Sequence, residues 1–496
     1  MAQVRSQPSA GNVPEGVQEA PDPARWRILI VLLGAIFMSL IGVSIVNVTL
    51  PSIQDGLGAS KADLQWVLSG YALTFGVVLV AAGRAGDIVG RGGIFIIGVA
   101  VFTLASVASS AAPSAEWLNA SRFVQGVGSG LLNPQGVGMI QQYFRGAERG
   151  RAFGFFGSMV GVAVAIGPVL GGVLIFLGGT DFGWRLTFLV NVPVGIVVIL
   201  LGLRWFPKPL FRRRPVGELT TAERASRSMD PVGSVLLGLA VLGILFPFVE
   251  SRSSGLTWTL LPVGIALVFT WIWWEKRYAR TGRSPMVDLN IFRTRSFSNG
   301  TIIVTLYFLG MTSIWVIVAM YMQQGAGKSA FEAGLVGIPS AVLSALAANW
   351  AGQRVIKFGR KIVIVGMLFA LIGLGSSIAV VQLHEAGYLS VWWLLASLAF
   401  IGAAQGSVIS PNQTLTLAEV PLEYAGSSGA VMQTGQRIGT SVGIAVVTAA
   451  LFATLDVSNW GTAVATGFGL IVLVVLAALA VAIKDQADRR RGAVRA

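Results

Sequence analysis

Two arginines sit where arginine is expensive. Arg122 lies inside a long apolar run, in Arg122-Phe123-Val124-Gln125-Gly126-Val127-Gly128, and Arg437 lies mid-run in Gln433-Thr434-Gly435-Gln436-Arg437. A guanidinium at membrane depth is costly and should face a bundle interior or a polar cavity. Snorkelling to the surface is the plain alternative for Arg122. A third charged group is built differently. Asp87 and Arg91 fall four residues apart in Gly83-Arg84-Ala85-Gly86-Asp87-Ile88-Val89-Gly90-Arg91. Asp87 is suited to accept hydrogen bonds from a neighbouring helix N-terminus, and Arg91 to pair with it. Such a charge latch would hold one conformation and break in another. Its plain alternative is a basic turn that only sets topology.

The latch pattern occurs twice. Gly, six residues and Gly-Arg recur as Gly352 through Gly359-Arg360, again just after a long apolar run. The second copy has Ile356 where the first has Asp87, so a pair of latches would be asymmetric. A duplicated membrane bundle leaves such a trace, and duplicated bundles are the usual architecture of secondary transporters.

The elements that must carry these groups follow from composition. The chain of 496 residues is 54% hydrophobic and only 12% charged. That charged fraction is about half of what a soluble chain carries. Apolar runs long enough to cross the hydrocarbon recur about fourteen times. The expected fold is an all-α polytopic membrane protein arranged as six, two and six helices. The expected division is a polar tail over 1–26, a six-helix bundle over 27–206 and a basic linker over 207–230. Two extra helices over 231–275, a loop over 276–296, a second six-helix bundle over 297–484 and a basic tail over 485–496 complete it. Lys and Arg crowd the loops after even-numbered runs, which places both termini in the cytoplasm of a cell membrane. The net charge of +14 is read as this topological bias rather than as a nucleic-acid surface.

Other residues at membrane depth are polar but neutral: Asn47, Asn133, Gln135, Asn349, Gln405, Asn412 and Gln433. They could line a substrate cavity or bond one helix to another. No Asp or Glu falls near a midplane, since Asp87 sits at an inner edge and Glu250 at an outer helix end. Two uncompensated arginines therefore favour neutral or anionic amphiphiles over organic cations. Cys is absent and His384 is the only histidine, which excludes disulfides, thiolate catalysis and Cys- or His-based metal clusters. No cofactor is expected. No phosphate-binding loop supports an ATP-driven pump, and no nucleophile–base pair supports an intramembrane enzyme.

Together these motifs resemble the major facilitator superfamily, in its fourteen-helix drug:proton antiporter branch. The Gly83–Arg91 loop is similar to the superfamily's signature loop, and Arg122 to Gly128 to its Arg-x-x-Gln-Gly-x-Gly motif. Gly167-Pro168-Val169-Leu170-Gly171-Gly172 resembles the Gly-Pro-x-x-Gly-Gly motif of its exporters, with Ala163 where the extended pattern usually has Gly. The strings at Ile45–Pro51 and Phe188–Gly195 also look like that branch. The resemblance implies proton-coupled export of a drug-like molecule by alternating access, with Arg122 in proton coupling and the Gly167–Gly172 helix as a gate. It also marks a departure: the branch often has an Asp where this chain has Gly42. An uptake symporter or an exporter of lipid-type amphiphiles on the same scaffold stands as the alternative.

Overall fold

The computed structural model describes residues 24–211, 230–249 and 255–495. The tail over 1–23, most of the basic linker and Glu250 lie outside the described residues, as do the side chains of Asn47 and Pro168. The first half contains α1 (Ala24–Leu57), α2 (Lys61–Val89), α3 (Arg91–Ser110), α4 (Ala115–Tyr143), α5 (Gly146–Leu189) and α6 (Asn191–Trp205). An inserted hairpin follows, α7 (Pro231–Val249) and α8 (Leu260–Arg280). The second half contains α9 (Arg295–Met311), α10 (Ser313–Met320), α11 (Ala330–Leu335) and α12 (Ile338–Phe358). It ends with α13 (Arg360–Glu385), α14 (Leu394–Thr416), α15 (Ala425–Leu455) and α16 (Trp460–Arg495).

Among the described residues, twelve helical stretches are long and apolar enough to cross a membrane. Two further long segments, α4 and the part of α5 before Gly179, bring the count to fourteen. Helix α4 is less apolar because it carries Arg122, Gln125, Asn133, Gln135 and Gln141, all of them buried within the protein. Glycine breaks α5: Gly179 has φ 70° and ψ −178°, a conformation closed to L side chains, and the chain turns there into the sixth crossing. The chain is therefore a multi-pass, all-α membrane protein.

Burial divides the helices into two bundles. In the first, α1 packs on α5 and α6, while α4 lies between α2 and α3. In the second, α14 lies between α12 and α13, while α9 packs on α15 and α16. The bundles meet along α5 against α12 and α14, and along α2 and α4 against α15. The hairpin rests on both sides of the second seam, because α7 touches α2 and α15. Helix α16 continues to Arg495, through the residues read from sequence as a tail.

Candidate functional site

The α2–α3 turn is built on two glycines. Gly90 has φ 126°, and a Cβ there would sit 2.5 Å from the Leu210 carbonyl oxygen. A Cβ on Gly83 would sit 2.7 Å from the Gly426 carbonyl oxygen, so α2 and α15 touch backbone to backbone. That approach brings Asp87 to the first turn of α15. Its Oδ1 accepts from the Gly426 N–H and its Oδ2 from the Ser427 N–H, both at 2.9 Å. Arg91 donates to Asp87 through Nε at 3.0 Å and Nη2 at 2.9 Å. It also donates to Gln142 of its own bundle at 2.8 Å and to the Leu422 carbonyl of the other at 2.6 Å. Six charge-assisted bonds thus gather at a site where Asp87 is 1% exposed and Arg91 9%.

The second copy folds the same way and bonds differently. Gly359 has φ 56°, and Gly352 meets Gly150 and Gly154 of α5, the counterpart of the Gly83–Gly426 approach. Arg360 turns inward instead of across. Its Nε donates to Asp485 at 2.6 Å, and it also bonds Asn412 and the Ser296 carbonyl. Asp485 further accepts from Asn299 at 2.8 Å and from Arg489 at 3.3 Å. This cluster ties α9, α13, α14 and α16 together inside one bundle. A reading without Asp485 leaves the second copy with no acid. The structure supplies one from α16, 125 residues further on.

Arg122 is fully buried. It donates through Nε to the Val67 carbonyl at 2.8 Å and through Nη1 to Gln125 at 2.6 Å and the Gly42 carbonyl at 3.5 Å. Its guanidinium lies 4.5 Å from the Tyr71 ring centre and 5.9 Å from that of Phe188. Its Nη2 has no hydrogen-bond partner among the described residues. Burial in the bundle interior rules out snorkelling. From Tyr71 a polar chain continues: Tyr71 Oη to Ser129 at 2.6 Å, Ser129 to Ser39 at 2.7 Å, and Asn133 to Ser39 at 3.3 Å. Arg437 enters from the opposite bundle, 4.2 Å over Phe75, whose ring centre is 5.9 Å from that of Tyr71. The Tyr71–Phe75 pair therefore stands between the two arginines. Among the described residues no carboxylate forms an ion pair with either arginine.

The neutral polar residues scatter. Gln135 donates to the Ala82 carbonyl at 2.7 Å and lies against Gly86, beneath the latch. Asn412 belongs to the Arg360 cluster and donates to the Gly300 carbonyl at 2.9 Å. Both therefore serve helix packing and not a central cavity. Asn349 is half-buried and bonded to Gln353 at 3.1 Å. Gln405 lines a cleft with Gly161, Trp315 and Ser340. Gln433 is buried with its Nε2 unpartnered among the described residues.

Gly167 and Gly171 do not face the other bundle; they admit Ser44 and Ile45 of α1, and Gly172 faces open space. A different row of α5 makes the seam. Gly150 meets Gly352, Gly154 meets the Ala348 carbonyl, Gly157 meets Ala348 and Ser410, and Gly161 meets Ser344. Their spacing of four, three and four residues is the small-residue stripe of close helix packing, a signal present in the sequence and overlooked beside the Gly-Pro motif. The latch and this stripe close the bundles together at the end where the α2–α3 turn lies.

Comparison with known proteins agrees with this architecture. Residues 32–444 match the family described as the Major Facilitator Superfamily. A "Probable actinorhodin transporter" of Streptomyces coelicolor is 33% identical over 90% of this chain and 76% of its own length. The "Puromycin resistance protein pur8" of Streptomyces alboniger is 30% identical over 95% of this chain and 94% of its own. Among solved structures, the human organic anion transporter MFSD10 superposes with a TM-score of 0.67 at 12% identity, over 93% of this chain and 100% of that one. The transporter FucP in its outward conformation gives 0.60 at 14%, over 93% and 99%. At such identities these two speak for the fold alone. A twofold-repeated bundle with a charge cluster at the seam, matched along most of its length, makes this chain a member of the Major Facilitator Superfamily.

Proposed function

We propose that the protein is a secondary transporter that exports a small, antibiotic-like amphipathic molecule across the cell membrane, in exchange for protons. The observation that carries the reading is the seam: two repeated bundles, closed at one end by a latch whose bonds cross between them, as rocking-bundle transport requires. The two Streptomyces relatives support export of a drug-like cargo. The basic loops gather at the latched end, which supports a cytoplasmic position for that end and for both termini. The latched state then faces away from the cytoplasm.

Cargo charge follows from Arg437. A guanidinium held over Phe75 at the seam, with no acid paired to it, concentrates anions and penalises cations. Neutral or anionic amphiphiles are the expected cargo. Arg122 is built to be fixed, with five acceptor or ring contacts, and its role is to hold the polar chain through Tyr71 in register. The test is uptake into inverted vesicles from cells making the protein, with an uncharged amphiphile, an anthraquinone acid and ethidium as probes, with and without a pH gradient. Arg437→Ala should lower transport of the acid about tenfold and leave the neutral probe within about twofold. Robust ethidium transport that ignores both the substitution and the gradient would overturn the reading.

A further inference from the structure

The inserted hairpin contains two carboxylates that nothing above uses. Asp230 stands at the start of α7 and is 1% exposed; Glu275 stands near the end of α8 and is fully buried. A Cβ built on Gly233 would lie 2.5 Å from Asp230 Oδ2 and 2.9 Å from Glu275 Oε1. The two oxygens are thus at most 5.4 Å apart, the sum of those distances. Two carboxylates this close, out of water, do not both ionise unless a cation joins them. Among the described residues no cation forms an ion pair with either one.

The hydrogen bonds separate the pair. Asp230 receives the Gly233 N–H at 2.8 Å and the Trp274 indole N–H at 3.1 and 2.8 Å on its two oxygens. Donors on both oxygens suit a carboxylate. Glu275 Oε2 receives the Met286 N–H at 3.0 Å, while its Oε1, on the side of Asp230, has no partner among the described residues. The indole Nε1 of Trp271, 6% exposed, is turned toward Glu275 without completing a regular hydrogen bond. The groups facing the pair are therefore Gly233 from α7, Trp271 and Trp274 from α8, and the backbone N–H groups of Met286 and Val287 from the segment leading to α9. Lys276 and Arg277 on α8 point to the exposed side, Arg283 lies over Tyr278, and Asp288 caps its own turn. Indole and amide N–H groups aimed at the pair disfavour a metal ion there.

We propose that Asp230 and Glu275 form a proton-binding site, with one proton carried on Glu275 Oε1 and shared toward Asp230. The proton pins the base of the hairpin. Its loss leaves two like charges facing each other across α7 and α8 and splits the base. Helix α7 passes this on: Leu245 and Val241 pack on Gly76, and Val77 packs on Gly238, so α7 moves with the α2 side of the latched seam. The site stands outside both bundles and does not depend on the identity of the cargo.

The test needs no substrate. Purified full-length protein in lipid nanodiscs would be titrated by infrared difference spectroscopy for a protonated carboxyl, and by spin-label distances between Val232→Cys and Ala279→Cys, both exposed positions in a cysteine-free chain. In the wild type the carboxyl signal should vanish and the distance widen together as pH rises. Glu275→Gln keeps an N–H facing Asp230 and should abolish the signal and hold the distance short at every pH. Asp230→Asn removes the like charge and should move the loss of signal to lower pH. A wild-type signal unaltered by Glu275→Gln, or a distance that tracks pH equally in both proteins, would overturn the proposal.

Discussion

The two copies of the Gly-x6-Gly-Arg loop share a backbone and differ in what their charges hold. Both bring a glycine into contact with the opposite bundle, Gly83 on α15 and Gly352 on α5. In the first copy the acid is local, Asp87, and it bonds the N–H groups that open α15 across the seam. In the second that position is Ile356, and the N-terminus of α5 has no side-chain cap. Arg360 is bonded instead to Asp485 and Asn412 within its own bundle. The same turn thus bonds across the seam in one half and within its own bundle in the other. In the proposed transport cycle the first set of bonds would have to break and re-form, while the second would not.

The sharpest break in this comparison is at the clamp. Asp485→Asn leaves Arg360 buried without a counter-charge, and removal of one member of a buried pair costs about 3–5 kcal/mol. We expect loss of folded protein, read as a lower thermal midpoint and poor recovery in detergent. Next is the seam itself. Gly352→Leu places a side chain where Gly150 and Gly154 now lie, so the basic end cannot close. Transport should fall below about a tenth while the thermal midpoint changes little, and spin labels across the α5–α12 seam should report a wider distance. Equal loss of stability in Gly352→Leu would merge the two classes.

Asp87→Asn should act on population rather than folding. A hydrogen bond to a charged group contributes about 1.5–3 kcal/mol. Losing the charge at α15 should therefore shift the balance toward opening at the basic end by about ten- to a hundredfold, with lower transport and an unchanged melt. The smallest effect should come from Ile356→Asp, which puts an acid at the exposed position that corresponds to Asp87, one turn beyond the Gly352 contact with α5. A charge at a helix end is worth about 0.3–1 kcal/mol. Closure should become about two- to fivefold more favourable, measurable by the same labels. No shift would show that the asymmetry is set by geometry and not by the missing acid.

Much of this was legible in the residues. The apolar runs gave the crossings because length and composition alone decide what spans a bilayer. The Asp87–Arg91 ion pair was legible because its members lie four residues apart. What escaped depends on distant partners. Asp485 lies one residue past the last apolar run and reads as the start of a basic tail; it is buried only because α9 and α13 arrive beside it. Gln135 and Asn412 read as cavity residues because depth is visible in sequence and direction is not. Asp230 and Glu275 read as linker and helix end because the hairpin that joins them is a tertiary fact. The Gly150–Gly161 stripe was in plain sight, and only the structure distinguishes it from the many other glycines of a chain with 62 of them.

That stripe has a kinetic meaning. Along α5 the bundles meet through glycines and short side chains, which have almost no rotamers to freeze on contact. In the proposed cycle, closing there would order few rotamers and opening would release few, so the surface would act as a bearing and the time spent closed would be left to the bonds around Asp87 at the other seam.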